Sequence, residues 1–169
     1  NAFDGEYGFG SVYGRNSKAI DMNFSNTDFL FTKVKHKFHA CCHGTHAAIE
    51  ALTFLQNKYQ FQKNEVKKVV VTVHPRFATV CNIQEPKSGL EIKFSYRMLA
   101  AMKIFGYDTA RLDSYSDKIC FNKELTEFRK KIEVNFDEDL KEFETKVEVW
   151  LNSGKKCVKN FDLNSLNDF

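Results

Sequence analysis

At 169 residues and 43% hydrophobic composition, the chain is long enough to bury a core of its own and points to one domain or a little more. Its 25 basic and 22 acidic residues are interspersed and leave a net charge of +3, so no basic stripe argues for nucleic acid. No apolar run reaches the roughly 18 residues of a membrane span, the first residues lack the zones of a signal peptide, and five cysteines with an adjacent pair fit a reducing, cytoplasmic compartment better than a disulfide framework.

In chain order, residues 1–16 hold four of the eight glycines between Phe3, Tyr7, Phe9 and Tyr13, a pattern that predicts an irregular connector. Alternation over Phe29–Phe38 predicts a first strand with one lysine-rich face. Gly44 and Thr45 supply a flexible point and an N-cap, after which Ile49, Leu52, Phe54, Leu55 and Tyr59 mark a helix ending near Gln60. The β-branched run Val66–Val73 predicts a central strand that stops at His74-Pro75. Residues 76–92 read as a long loop leading into a helix over Lys93–Phe105, with Gly106 as its stop. Asp113–Asp117 predicts a turn, and Asn122 caps a short helix through Lys130. Ile132, Val134 and Phe136 alternate, as do Phe143 to Leu151, and Asn152-Ser153-Gly154 turns the second run into Lys155–Val158. The order predicts an α+β fold: a mostly antiparallel sheet with helices packed on one face.

Polar chemistry is concentrated in Lys37-Phe-His-Ala-Cys-Cys-His-Gly-Thr-His46, which carries one lysine, three histidines and two cysteines. A zinc site fits poorly, because Cys42, His43 and His46 find no second ligand pair at the usual distance. Cysteine catalysis by Cys41 or Cys42 needs a lowered thiol pKa, of which only the helix N-terminus is visible. Anion recognition fits best: a helix N-terminus offers N–H groups and partial positive charge, and Lys37, His43 and His46 add cationic or donor groups, as a substrate with several carboxylates requires. His74, before Pro75, reads as a strand-end residue. No phosphate-cradling glycine loop or complete metal spacing implies a nucleotide, flavin or metal, so no cofactor is expected.

Lys37 to His46, followed by Ala-Ala-Ile-Glu-Ala51, resembles the lysine, vicinal-cysteine, Thr-His helix start of the MmgE/PrpD family, which includes 2-methylcitrate dehydratase, cis-aconitate decarboxylase and iminodisuccinate epimerase. Val73-His-Pro-Arg76, then Val80-Cys-Asn-Ile-Gln-Glu-Pro-Lys-Ser-Gly-Leu-Glu-Ile-Lys-Phe-Ser95, then Ala100-Ala-Met102 and Asp108-Thr-Ala-Arg-Leu-Asp-Ser-Tyr-Ser-Asp117, is similar to the family's run in order and spacing. Gly8-Phe9-Gly10 resembles the junction between the family's large helical domain and its smaller α+β lid, so the resemblance covers about Gly8 to Lys156. It implies a connector over residues 1–16, a lid domain over 17–159 and a tail over 160–169. Because the chain begins with Asn1 and ends on Asn167-Asp-Phe169, it is read as a piece of something longer.

The resemblance further implies a lyase active site in a cleft between lid and helical domain, with much of the acid/base machinery on the helical domain. In the lid, Lys37 matches the lysine that meets a substrate carboxylate, and His46 matches the histidine that opens the lid helix. The expected partners are a small polycarboxylate, the helical domain of the same enzyme and a second copy in a homodimer. The family often has Tyr where this chain has Met98, which offers no phenol, and Tyr96 stands two residues earlier. An epimerase of the iminodisuccinate type, or a stand-alone lid serving as an interaction module, are the alternatives.

Overall fold

The computed structural model describes residues 8–13 and 36–166. The chain divides into two compact units, residues 1–36 and 37–169. In the first, Phe9–Tyr13 forms a short helix, α1, where an irregular connector was predicted. The Gly8 carbonyl accepts from the N–H groups of Ser11 and Val12 at 3.1 and 3.0 Å, enough to close one turn. Most of the strand predicted over Phe29–Phe38 lies outside the described residues, and its described end, His36 to Phe38, is irregular.

The second unit opens on that irregular stretch, passes through a 3-10 turn at His43–Thr45, and enters helix α2 (His46–Tyr59). Thr45 was expected to cap this helix, but its backbone is already helical and its hydroxyl donates to the Cys42 carbonyl at 2.7 Å. Gln60, at φ 54°, closes the helix in the left-handed region. Strand β1 (Val66–Val73) follows as predicted.

The helix expected over Lys93–Phe105 is α4 (Tyr96–Ile104), and the preceding stretch expected as a loop carries a short helix, α3 (Gly89–Ile92). Between them, Lys93 and Phe94 bond back to Leu90 and Glu91 in a tight turn. Ser95 then starts α4, its hydroxyl oxygen accepting from the Met98 N–H at 3.2 Å. After α5 (Asp117–Cys120), Asn122 caps α6 (Lys123–Arg129) by accepting from the Leu125 N–H. Strands β2 (Ile132–Phe136), β3 (Glu144–Leu151) and β4 (Lys156–Asp162) complete the unit. The β3–β4 connection turns through Gly154 at φ 86°, a backbone that favours glycine. Strand β4 runs past Val158 to Asp162, because Cys157, Lys159 and Phe161 keep its alternation paired to Val149, Val147 and Thr145.

The fold is therefore α+β, with a mixed four-stranded sheet in the order β2-β1-β3-β4. β1 pairs antiparallel with β3 and β3 with β4, whereas β2 joins β1 in parallel. Helix α2 packs on β3, β4 and α4, while α4 also meets α6 and β2. Ile49, Leu52 and Leu55 of α2, Met98 and Met102 of α4, and Val69, Val71, Val147 and Val149 of the sheet share one core. The alternate residues of β1 and β3 carry charge instead: Lys68 pairs with Glu133 at 2.8 Å, Glu148 with Lys156, and Trp150 lies between Lys68 and Lys156.

Leu52 is fully buried at the centre of this core, whereas Leu90 on α3 is 67% exposed. Leu52→Ala is therefore expected to lower stability by about 2 to 5 kcal/mol in urea unfolding, and Leu90→Ala by no more than about 0.5 kcal/mol. Equal effects of the two substitutions would contradict this packing.

Candidate functional site

Residues 37–45 form a loop held by long-range backbone bonds. The Ala40 N–H donates to the Thr109 carbonyl at 2.9 Å, and the Cys42 N–H to the Lys93 carbonyl at 3.1 Å. Tyr96, buried on α4, donates its phenol hydrogen to the Gly44 carbonyl at 2.9 Å. Gly44 is required there, since a β-carbon would sit 2.4 Å from the Phe77 ring. Lys37 is exposed, and its ammonium donates to the Cys41 carbonyl at 3.3 Å. The loop thus brings a cation to the start of α2, whose first turn presents amide hydrogens and partial positive charge.

The three histidines of the loop and helix start meet as rings. His46 lies 5.0 Å from His39 and 5.1 Å from His43, and His43 packs in turn on Phe143 at 5.2 Å. His43 is half-buried and His46 wholly buried, so of the three residues singled out by the sequence only Lys37 lies at the surface. Neither ring nitrogen of His46 has a hydrogen-bond partner. Burial first, and then the neighbouring His39 and His43, push its pKa down to about 4, against a weaker opposing pull from the Cys41 carbonyl. At neutral pH His46 is an uncharged imidazole with one donor and one acceptor to offer.

The sequence left His39 and its partners unassigned. His39 Nε2 lies 2.9 Å from Glu50 Oε1, and its Nδ1 lies 2.9 Å from Thr109 Oγ1. The bond to His39 holds the Glu50 carboxyl below its usual range. One signal was visible: Glu50 follows His46 by four positions and so shares its helix face. Cys41 and Cys81, by contrast, are poor nucleophiles. Burial raises the Cys41 thiol, only partly offset by its bonds to Thr45 and Tyr115, and burial likewise raises Cys81. Among the described residues no group of three or more His, Cys, Asp or Glu is placed to hold a metal ion, and no helix is long and apolar enough to cross a membrane.

His74 Nδ1 accepts from the Arg76 N–H at 3.1 Å, which caps the 3-10 turn after β1. Met98 is buried in the core. The Tyr96 hydroxyl, committed to Gly44, is pushed further from ionisation by burial. Neither residue offers a free phenol to the loop; Tyr96 instead fixes the turn that carries His43.

The unfolded chain binds a proton at His46 below about pH 6.5, and the folded chain only below about pH 4. Stability from this group is complete above pH 6.5 and is lost as pH falls toward 4, by about 3 kcal/mol in total. Urea unfolding between pH 7 and pH 4 is expected to show this loss in the native chain and to show it missing in His46→Met. A histidine resonance for His46 that titrates near pH 6.5 would contradict it.

The family model for the MmgE/PrpD C-terminal domain matches residues 39–162. No curated protein matches the chain. The match spans the His39–His46 loop, both central helices and every strand of the sheet described above, and by it the chain belongs to the MmgE/PrpD family, through that family's C-terminal domain.

Proposed function

We propose that this chain is the lid domain of an MmgE/PrpD-like lyase that acts on a small polycarboxylate, of the 2-methylcitrate dehydratase or cis-aconitate decarboxylase type. One observation carries the reading: His46, buried with both ring nitrogens unpartnered, adjoins His43 and opens the helix whose approach loop carries Lys37. An unpaired buried imidazole costs about 1 to 3 kcal/mol, so the arrangement favours a state in which a ligand supplies the missing partner. In that state Lys37 supplies the charge that meets a carboxylate, and neutral His46 supplies a hydrogen bond or relays a proton. The chemistry is proton abstraction beside a carboxylate followed by loss of water or carbon dioxide. The principal acid and base belong to the helical domain that the family places across the cleft.

The lid reading extends to the fold. Helix α2 packs on β3 and β4 and α4 on β2, while Lys68 and Glu133 pair at the surface of the sheet. The polar partners of the lid are the helical domain and a second copy of the enzyme, in the cytoplasm. A second reading, an epimerase of the iminodisuccinate type, is favoured by one observation: Met98 stands where the lyases carry a tyrosine, and the Tyr96 hydroxyl is occupied by Gly44. An epimerase needs only removal of a proton and its return.

In the full-length enzyme, Lys37→Ala and His46→Ala are each expected to lower kcat/KM toward a tricarboxylate by about 30- to 1000-fold, equivalent to about 2 to 4 kcal/mol of transition-state stabilisation. Release of water or carbon dioxide identifies the lyase, and inversion at carbon without release identifies the epimerase. Unchanged efficiency in both variants would sink the assignment of these residues.

A further inference from the structure

The contacts of His39 form an arrangement that the proposed reaction does not use. Glu50 Oε1, the His39 ring and Thr109 Oγ1 stand in line with 2.9 Å at each step, which is the order carboxylate, imidazole, hydroxyl of a hydrolase triad. The line stands inside the fold, with Thr109 3% exposed and His39 8%, and no reaction is assigned to it. What the line does instead is join three distant pieces of chain. His39 belongs to the loop, Glu50 to α2 eleven positions on, and Thr109 to the segment after α4, seventy positions on. Thr109 is anchored in turn, its carbonyl accepting from the Ala40 N–H at 2.9 Å and from the Tyr115 hydroxyl at 2.7 Å.

A hydrogen-bonded network of this kind admits few geometries, because both ring nitrogens of His39 need their partners at once. The His39 ring also stands edge-on to His46 at 5.0 Å, so its orientation limits that of its neighbour. We propose that His39 is a positioning residue: bridged to Glu50 and Thr109, it locks the Lys37–Thr45 loop onto α2 and holds Lys37, His43 and His46 in one arrangement for an anionic ligand. The ligand rests on the polycarboxylate reading above; the lock does not.

Cys41 reads the lock directly, being buried within the loop, whereas Cys157 is buried in β4 and reads the sheet. Alkylation of each by iodoacetamide is followed by peptide mass in the native chain and in His39→Phe, Thr109→Val and Thr109→Ser. His39→Phe and Thr109→Val are expected to speed labelling of Cys41 by about 10-fold with Cys157 unchanged, and Thr109→Ser, which keeps the hydroxyl, to leave Cys41 slow. Cys41 labelling that does not change, or that rises in step with Cys157, overturns the proposal. Citrate binding to the full-length protein separates the two ideas: it should weaken by about 10-fold in His39→Phe. If the native protein does not bind citrate while Cys41 labelling still rises selectively, the polycarboxylate reading fails and the lock stands.

Discussion

The bond from the Tyr96 hydroxyl to the Gly44 carbonyl joins the core to the loop that leads into α2. Tyr96 is the first residue of α4 and fully packed, so its position is set by the helices and the sheet beneath them. Gly44 lies in the middle of the 3-10 turn that feeds α2. Through this contact the orientation of His43 and His46 follows from the packing of α4 on α2, and the loop does not have to define itself. The bonds Ala40–Thr109 and Cys42–Lys93 repeat the device from two other segments. A loop pinned at several points loses its conformational entropy during folding, so little remains to be lost when a ligand binds.

The division of labour at the site follows from burial. Lys37 lies at the surface, and in the function proposed above it supplies long-range attraction for anions. His46, wholly buried, gives up its charge and keeps directional hydrogen bonding. Two cations buried side by side would repel each other and be costly to desolvate, whereas a neutral imidazole behind an exposed ammonium avoids both penalties. The cost that remains is the pair of unpartnered nitrogens on His46.

Much of the fold could be read from local pattern. The run of valines in β1, the asparagine cap of α6 and the Asn-Ser-Gly turn before β4 each encode their own conformation in a few neighbouring residues. What escaped the sequence depends on partners far away. The parallel pairing of β2 with β1 is set by the helices that connect them, and no alternation within Ile132–Phe136 records it. The break before α4 was hidden because Phe94 continues the apolar period of Met98, Ala101 and Met102, while the residue that decides the boundary is the polar Ser95. At the site, composition singled out Lys37, His43 and His46, but spacing could not show that His46 is enclosed. Nor could it show that His39 answers to Thr109, seventy residues away.

Trp150 is the sole tryptophan of the chain, and it stands on the charged side of β3, paired across the sheet with Lys68 on β1 and Lys156 on β4. Ammonium groups lie 5.8 and 4.5 Å from its ring centre. Its fluorescence therefore registers the pairing of the three strands around it, and the molecule has, in effect, an intrinsic optical gauge of its sheet.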